Sequence, residues 1–362
     1  RQSEIQPELS IVCTARNDDH GGNLLKRMRL WFNCILTLAE RHKLKCELIL
    51  VDWNPPDGKP KLHEVLPWPE EHKYCSIRII EVPNSIHQRY KHSKSLPLYQ
   101  MIAKNVGIRR ARGRMVLSTN VDILFTDALF EFFASGRMDE GKMYRVDRYD
   151  TDGDIRETGS IDEQLATARD TILRVGYRGG TLNYRSGHYD LIYCTFADDA
   201  LYDYKHNWRY PLHTNASGDF ALLSRKNWFE IGGYWETDAY SFHLDSILCY
   251  TAHFAGIIEE YLPSPMWVHH IEHDSGWTPE FEQAGTLEKR LSSGGIPKIS
   301  DRELEGLYIL MAEHSRPIKC SNGVNWGHAD DQLTEQVMCR ADWDSQENPL
   351  RTAISSPPLP PL

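Results

Sequence analysis

The first 125 residues alternate short apolar runs with amphipathic helical segments, and this order constrains the fold more than any other feature of the sequence. Residues 9–15 predict a buried strand, and residues 24–38 then repeat apolar side chains every three or four positions, as an amphipathic helix does. Residues 47–52 and 76–82 predict two further strands. Strands that alternate with helices across short turns favour an α/β fold, in which helices cover both faces of a mostly parallel sheet.

Polar side chains follow the carboxyl ends of three predicted strands. Arg16 follows the first strand, Asp52 ends the second, and Asp122 lies between the apolar runs 115–117 and 123–125. Sheets of this class bind ligands at the carboxyl ends of their strands. We therefore expect these side chains to share one edge of the sheet, where a carboxylate can hold a divalent cation.

Composition excludes some classes of protein. The formal net charge of -10 argues against a nucleic-acid partner, because a phosphate backbone attracts basic surfaces. No apolar run approaches the roughly 20 residues of a membrane span. The eight cysteines include no CxxC pair, which favours a reducing compartment, so we expect a cytoplasmic location. A secretory lumen remains the alternative, if an N-terminal anchor has been removed.

The sequence pattern divides the chain into three parts. Residues 1–135 contain the strand and helix alternation, whereas residues 136–290 begin with an irregular Gly-, Asp- and Tyr-rich segment that we interpret as an insertion. Residues 291–362 form a C-terminal extension that we expect to be helical, followed by a proline-rich tail. The tail, residues 355–362, is too rich in proline to fold compactly, and we expect it to be mobile.

Two helices are predicted in the second half of the chain. Residues 245–255 have a helical apolar pattern. Ser300 and Glu303 have the spacing of a capping box before another apolar repeat, which predicts a helix that begins there.

Taken in order, these segments resemble the GT-A glycosyltransferases, in particular the large family-2-like group, over roughly residues 9–273. Residues 10–17 resemble the strand that opens the nucleotide site of that family. A helix like residues 103–113 leads into its acidic metal motif, and a segment like residues 218–236 borders its acceptor site. The resemblance implies a GT-A-like, Rossmann-related sheet flanked by helices, with the nucleotide-sugar site in residues 1–135 and a smaller acceptor-side subregion beyond.

The resemblance also implies roles for single residues. Asp122 matches the last position of the family's Asp-x-Asp metal motif, but Asn120 replaces the first Asp and offers only a neutral oxygen. A late histidine can compensate, and His270 and His273 are the candidates, while Asp245 matches the acidic residue that often acts as base. The residues implied to bind the nucleotide sugar are Thr14, Ala15, Arg16, Asp52, Asn105 and Asn120.

The expected activity is transfer of a sugar from a UDP- or GDP-sugar to a hydroxyl of a glycan or similar acceptor, with Mn²⁺ or Mg²⁺ as cofactor. Inversion and retention at the anomeric carbon both remain open. One alternative is a nucleotidyltransferase, although Gly21-Gly22 with Lys26 and Arg27 makes a poor triphosphate loop. A catalytically inactive sugar- or nucleotide-binding module is another. A metal hydrolase built around the late histidines is a third, but the sequence has no HExxH motif.

Three tryptophans are candidates to stack on sugar faces, although most tryptophans fill cores. They are Trp228, Trp235 and Trp277.

Overall fold

A computed structural model of the chain describes residues 6–178, 180–185, 188–193, 212–274, 284–318 and 322–344. In these residues the strands, in chain order, are β1 (Leu9–Ala15), β2 (Cys46–Trp53), β3 (Glu71–His72), β4 (Cys75–Val82), β5 (Met115–Thr119), β6 (Ile123–Phe125), β7 (Lys142–Arg145), β8 (Arg148–Thr151), β9 (Ile172–Tyr177), β10 (Gly180–Arg185), β11 (His188–Tyr193), β12 (Phe220–Ser224), β13 (Ile258–Tyr261), β14 (Val268–Ile271) and β15 (Thr334–Ala341).

The helices in the same residues are α1 (Leu24–Arg41), α2 (Leu62–Val65), α3 (Asn84–His87), α4 (Gln100–Arg110), α5 (Asp127–Ala134), α6 (Ile161–Asp170), α7 (Arg225–Ile231), α8 (Leu244–Phe254), α9 (Thr286–Ser293) and α10 (Asp301–His314). The predicted strands and helices of the first 125 residues are confirmed within a few residues at each end. Ser300 and Glu303 form the predicted capping box, and α10 begins directly after Ser300.

The larger of two sheets has the strand order β13-β7-β12-β5-β1-β2-β4-β15-β3. Its four central strands, β5, β1, β2 and β4, are parallel, but β12 and β15 pair with them in the antiparallel direction. The α/β class is therefore confirmed, and the sheet is mixed. The predicted parallel pairing holds for the four central strands, and the GT-A-like topology stays a prediction. Apolar clusters cover both of its faces: α1 and α5 pack on one, α4 and α8 on the other.

The smaller sheet has the order β11-β10-β9-β8-β14-β6 and is largely antiparallel. Most of it comes from the segment that the sequence pattern presents as irregular. Only three residues separate its strand β6 from the end of β5 in the larger sheet, so the chain crosses between the sheets at residues 120–122. Asp122 therefore lies at their junction.

The C-terminal extension is helical only in part. Helix α10 packs against α8, but β15 then pairs with β4 and extends the large sheet, which the sequence pattern did not predict. The tail beyond residue 344 and Trp277 lie outside the described residues. Within the described ranges, no helix combines the length and apolar character that crossing a bilayer requires.

Candidate active site

Asp122, His270 and His273 meet at the junction of the two sheets. Asp122 Oδ2 lies 3.2 Å from Nε2 of His273 and 4.0 Å from Nε2 of His270. One potential ligand atom from each residue lies within 4.8 Å of the others, and each side chain is only 9% exposed. One carboxylate and two imidazoles at these separations can hold a divalent transition-metal cation.

Strand pairing explains why residues 148 positions apart in sequence come together. Strand β14 is antiparallel to β6 with His270 opposite Ile123, and the backbone N–H of Ile271 donates to the carbonyl of Asp122 at 2.9 Å. Alternation along β14 directs His270 toward Asp122 and the neighbouring His269 to the opposite face. His269 accepts a hydrogen bond from Trp267 Nε1 at 3.0 Å, and burial lowers the pKa of its imidazole to about 4.

The environment of Asp122 strongly favours its charged form. Burial alone would raise the pKa of this carboxyl, but the hydrogen bond with His273 and the positive charges of His270 and Arg27 hold the pKa well below its usual range. Arg27 Nη1 lies 2.9 Å from Asp122 Oδ2. The second oxygen, Oδ1, is buried and has no hydrogen-bond partner among the described residues. A buried acceptor without a partner is costly, so Oδ1 suits a cation.

The ring nitrogen of His270 that faces away from Asp122 contacts a carboxylate. Its Nδ1 lies 3.0 Å from Asp150 Oδ1, which leaves Nε2 on the side of Asp122. Asp150 also accepts hydrogen bonds from Arg148 and Arg174, and it is almost fully buried. Metal-binding histidines are commonly oriented by such a carboxylate.

A cavity of about 1350 Å³ opens in front of the three residues. Of the residues implied to bind a nucleotide sugar, a metal or the acceptor, eight line this cavity: Thr14, Ala15, Arg16, Asn120, Asp122, Asp245, His270 and His273. The structure thus brings together most of the side chains predicted from the sequence.

Asp52 and Asn105 are not among the described residues that line the cavity. Asp52 is 1% exposed and accepts a hydrogen bond from the backbone N–H of Leu62 at 3.1 Å, at the start of α2. Asn105 is fully buried and bridges to both the N–H and the carbonyl of Tyr234. In this structure both side chains support neighbouring backbone, so their predicted contacts with a nucleotide remain predictions.

The side chain of Asn120 belongs to a network of hydrogen-bonded polar side chains. Its Nδ2 donates to Asp219, and its Oδ1 accepts from Gln100 Nε2 at 2.9 Å. Asp219 in turn accepts a hydrogen bond from Arg148 Nη1 at 2.7 Å. The side chain of Asn120 is thus already hydrogen-bonded through both its nitrogen and its oxygen.

Asp245 stands at the start of α8 with its carboxylate held by backbone. The N–H of Gly218 donates to Oδ2 at 2.6 Å, and the N–H of Ser246 donates to Oδ1 at 3.0 Å. The Lys104 side chain is fully buried, and its Nζ donates to the carbonyl of Gly218 at 2.7 Å. Burial lowers the pKa of Lys104 to about 8, against the opposing effect of Asp219 and Asp245. Asp245 is thereby presented to the cavity in one orientation.

Sequence reasoning did not assign Arg27, Arg148 or Asp150 to the site. Arg27 lies within an amphipathic helix, where an arginine is normally a surface residue. Arg148 and Asp150 occupy alternate positions of a four-residue strand, and that alternation is a signal for one shared face of a strand. The pairing of His270 with Asp150, 120 positions apart, has no local signal.

Of the other tryptophans proposed to stack on sugars, Trp228 is fully buried and donates to the carbonyl of Val116. Trp235 packs against the core cluster beside α4 and α8. Neither lines the cavity. Comparison with protein-family models and with curated proteins found no match.

Proposed function

We propose that this protein is a metal-dependent glycosyltransferase with a GT-A-like fold, which moves a sugar from a nucleotide-sugar donor to a hydroxyl of a glycan-type acceptor. The observation that carries the proposal is the convergence of Asp122, His270 and His273 with Asp245 on one cavity. A carboxylate at a strand end beside two imidazoles fits the cation that this chemistry uses. Oδ1 of Asp122, which has no hydrogen-bond partner in the part of the chain that the structure describes, fits it too.

The size of the cavity supports a reaction between two substrates. Sites for a single small molecule usually measure about 300–1,000 Å³, and this cavity is larger. Thr14, Ala15 and Arg16 border it at the end of β1, where a donor nucleotide would bind. Asp245 borders it from α8, where the acceptor would approach.

When bound, a divalent cation neutralises the charge that develops on the departing diphosphate. Arg27 adds a buried positive charge beside Asp122. In an inverting transfer, Asp245 takes the proton from the acceptor hydroxyl as that oxygen bonds to the anomeric carbon. The bond from this carbon to the diphosphate oxygen breaks, and its electron pair leaves with the nucleoside diphosphate. A retaining transfer would not need this base.

Calorimetry with UDP and GDP, each with and without Mn²⁺, tests the proposal directly. We expect one diphosphate to bind in a Mn²⁺-dependent manner, and we expect Asp122→Ala to abolish that dependence while the protein stays folded. Donor hydrolysis by Asp245→Ala then separates the mechanisms: loss of about 10²–10⁴-fold supports a base in an inverting enzyme. Binding without any turnover would favour the inactive module, and no binding of either diphosphate would refute the proposal.

A further inference from the structure

The donor atoms of the Asp122, His270 and His273 cluster are two imidazole nitrogens and one carboxylate oxygen. Mg²⁺ and Ca²⁺ are hard cations that prefer oxygen ligands, whereas imidazole suits first-row transition metals. The oxygen that Asn120 offers is already engaged with Gln100. The cluster therefore depends on its imidazoles, and on the direction in which their lone pairs point.

The ring orientation of His270 follows from its contact with Asp150. A carboxylate only accepts hydrogen bonds, so the Nδ1 atom 3.0 Å from Asp150 Oδ1 must carry the proton. In a neutral ring with this tautomer, Nε2 has a free lone pair, and Nε2 is the atom that lies toward Asp122. The Asp150 contact thus keeps a proton on Nδ1, so that when the ring is neutral its lone pair is on Nε2, the atom that faces the cluster.

Asp150 itself cannot easily turn away. Its Oδ2 accepts from Arg148 Nη2 and from Arg174 Nε, both at 3.2 Å, and only 1% of the residue is exposed. Arg148 also donates to Asp219, and Arg174 pairs with Glu272, which precedes His273. Arg148 Nε also lies 3.0 Å from Oδ1 of Asp150, the oxygen that His270 Nδ1 contacts, so guanidinium groups lie against both oxygens of this carboxylate.

We propose that Asp150 is a positioning residue that presents Nε2 of His270 to the cluster, and that it thereby makes the cluster prefer transition-metal dications to Mg²⁺. The inference rests on the cation site of the proposed function. It does not require that a nucleotide sugar binds, because the metal alone can be titrated.

Titration calorimetry of the full chain with Co²⁺, Mn²⁺ and Mg²⁺ tests the proposal. For the unchanged protein we expect Co²⁺ and Mn²⁺ to bind at least about ten-fold more tightly than Mg²⁺. Asp150→Ala is expected to weaken Co²⁺ binding by about 10–100-fold, with little change for Mg²⁺. Asp150→Asn keeps an oxygen acceptor opposite Nδ1 and is expected to restore much of the Co²⁺ affinity.

Arg174→Met is the matched control, because it removes a buried charge partner of Asp150 but leaves the contact between Asp150 and His270. We expect it to lower Co²⁺ affinity much less than Asp150→Ala does. Side-chain ¹⁵N NMR of the metal-free protein provides a readout that a merely structural role would not change. The His270 signals, assigned by their loss in His270→Gln, should show the Nδ1-protonated tautomer, and this preference should disappear in Asp150→Ala.

Equal affinities for Mn²⁺ and Mg²⁺, or no binding of any cation, would overturn the proposal. So would a loss in Arg174→Met as large as in Asp150→Ala, or an unchanged His270 tautomer. If Asp150→Ala does not fold, the Mn²⁺ to Mg²⁺ affinity ratio and the His270 tautomer of the unchanged protein still test the proposal, because each can overturn it. Cation selectivity without diphosphate binding would leave this inference standing and remove only the glycosyltransferase proposal.

Discussion

Asp52 and Asp122 follow neighbouring parts of the same sheet, yet their surroundings drive their ionisation in opposite directions. Asp122 is buried beside Arg27 and two histidines, which together hold its pKa well below the usual range. Asp52 is equally buried, and burial raises its pKa to about 6 because a single backbone N–H, from Leu62, does not offset it. Strand-end position is visible in the sequence, but the charge state depends on neighbours from elsewhere in the chain.

Asp52→Asn is expected to stabilise the protein near neutral pH. The carboxyl has a pKa of about 6 in the folded chain and about 3.9 when unfolded, so its stabilising contribution is complete below pH 3.9 and is lost as pH rises through 6. Asparagine stays neutral and keeps an oxygen for Leu62 N–H. Urea unfolding should show a gain of about 1–3 kcal/mol at pH 8 that vanishes at pH 4.

The same variant separates the two interpretations of Asp52. If its carboxylate contacts a nucleoside, as the family resemblance implies, Asp52→Asn should weaken UDP or GDP binding at every pH. Unchanged nucleotide affinity would assign the residue to the folding of the loop before α2. A variant that is less stable than the unchanged protein at pH 8 would contradict the role of burial.

At the level of whole elements, the alternation of side chains along β14 determines which of the clustered histidines face the cavity. The sequence places three histidines within residues 269–273, and the family resemblance favours His270 and His273 but does not say which of them binds a metal. Pairing of β14 with β6 and β8 turns His270 to the cavity and His269 away from it. Strands β7 to β11 were not predicted: β7 and β8 have only four residues each, the shortest run over which alternation can be recognised, and β9 to β11 lie in the segment interpreted as an irregular insertion.

Helix α4 packs against the sheet through a glycine, and this contact gives a sharp prediction. A Cβ atom on Gly107 would lie 2.5 Å from Val12 Cγ1 and 3.2 Å from Val51 Cγ2. Gly107→Ala must therefore push α4 from β1 and β2, and we expect a loss of about 1–3 kcal/mol in the free energy of unfolding.

Gly306 in α10 provides the matched control. It is exposed, and a Cβ atom there would meet nothing within 4 Å. Gly306→Ala should stabilise the protein by about 0.5–1 kcal/mol through reduced chain entropy. If guanidinium unfolding gave the same change in the free energy of unfolding for both substitutions, the space between α4 and the sheet would have to accommodate a methyl group, contrary to the structure.

Across the whole molecule, one buried carboxylate connects segments that are far apart in sequence. Glu47 on β2 is fully buried, and it accepts hydrogen bonds from Ser10, Arg78 and Arg112. Arg112 also forms an ion pair with Asp344, at the C-terminal end of the described residues. Burial by itself would raise the pKa of Glu47, but Arg78 and Arg112 overcome it and lower the pKa to about 2.

Glu47→Gln should therefore alter the acid stability of the protein. The ionised carboxylate stabilises the fold fully above its unfolded pKa of about 4.3, and this contribution is lost as pH falls toward 2. We expect Glu47→Gln to be less stable by about 3 kcal/mol at pH 7, because the buried Arg78 and the partly buried Arg112 both lose a charge partner. Unfolding curves should converge below pH 4, and a difference that stays constant to pH 2.5 would contradict this account.

Local sequence patterns predicted the α/β class, the positions of the first strands and helices, and eight of the residues that line the cavity. These follow from local apolar periodicity and from polar residues at strand ends, both of which act over a few residues. Contacts between distant segments brought both His270 and His273 to Asp122, placed Arg27 and Asp150 beside them, and left Asp52 and Asn105 outside the cavity. Those outcomes depend on strand pairing and burial between residues about a hundred positions apart, for which a single sequence carries no local signal.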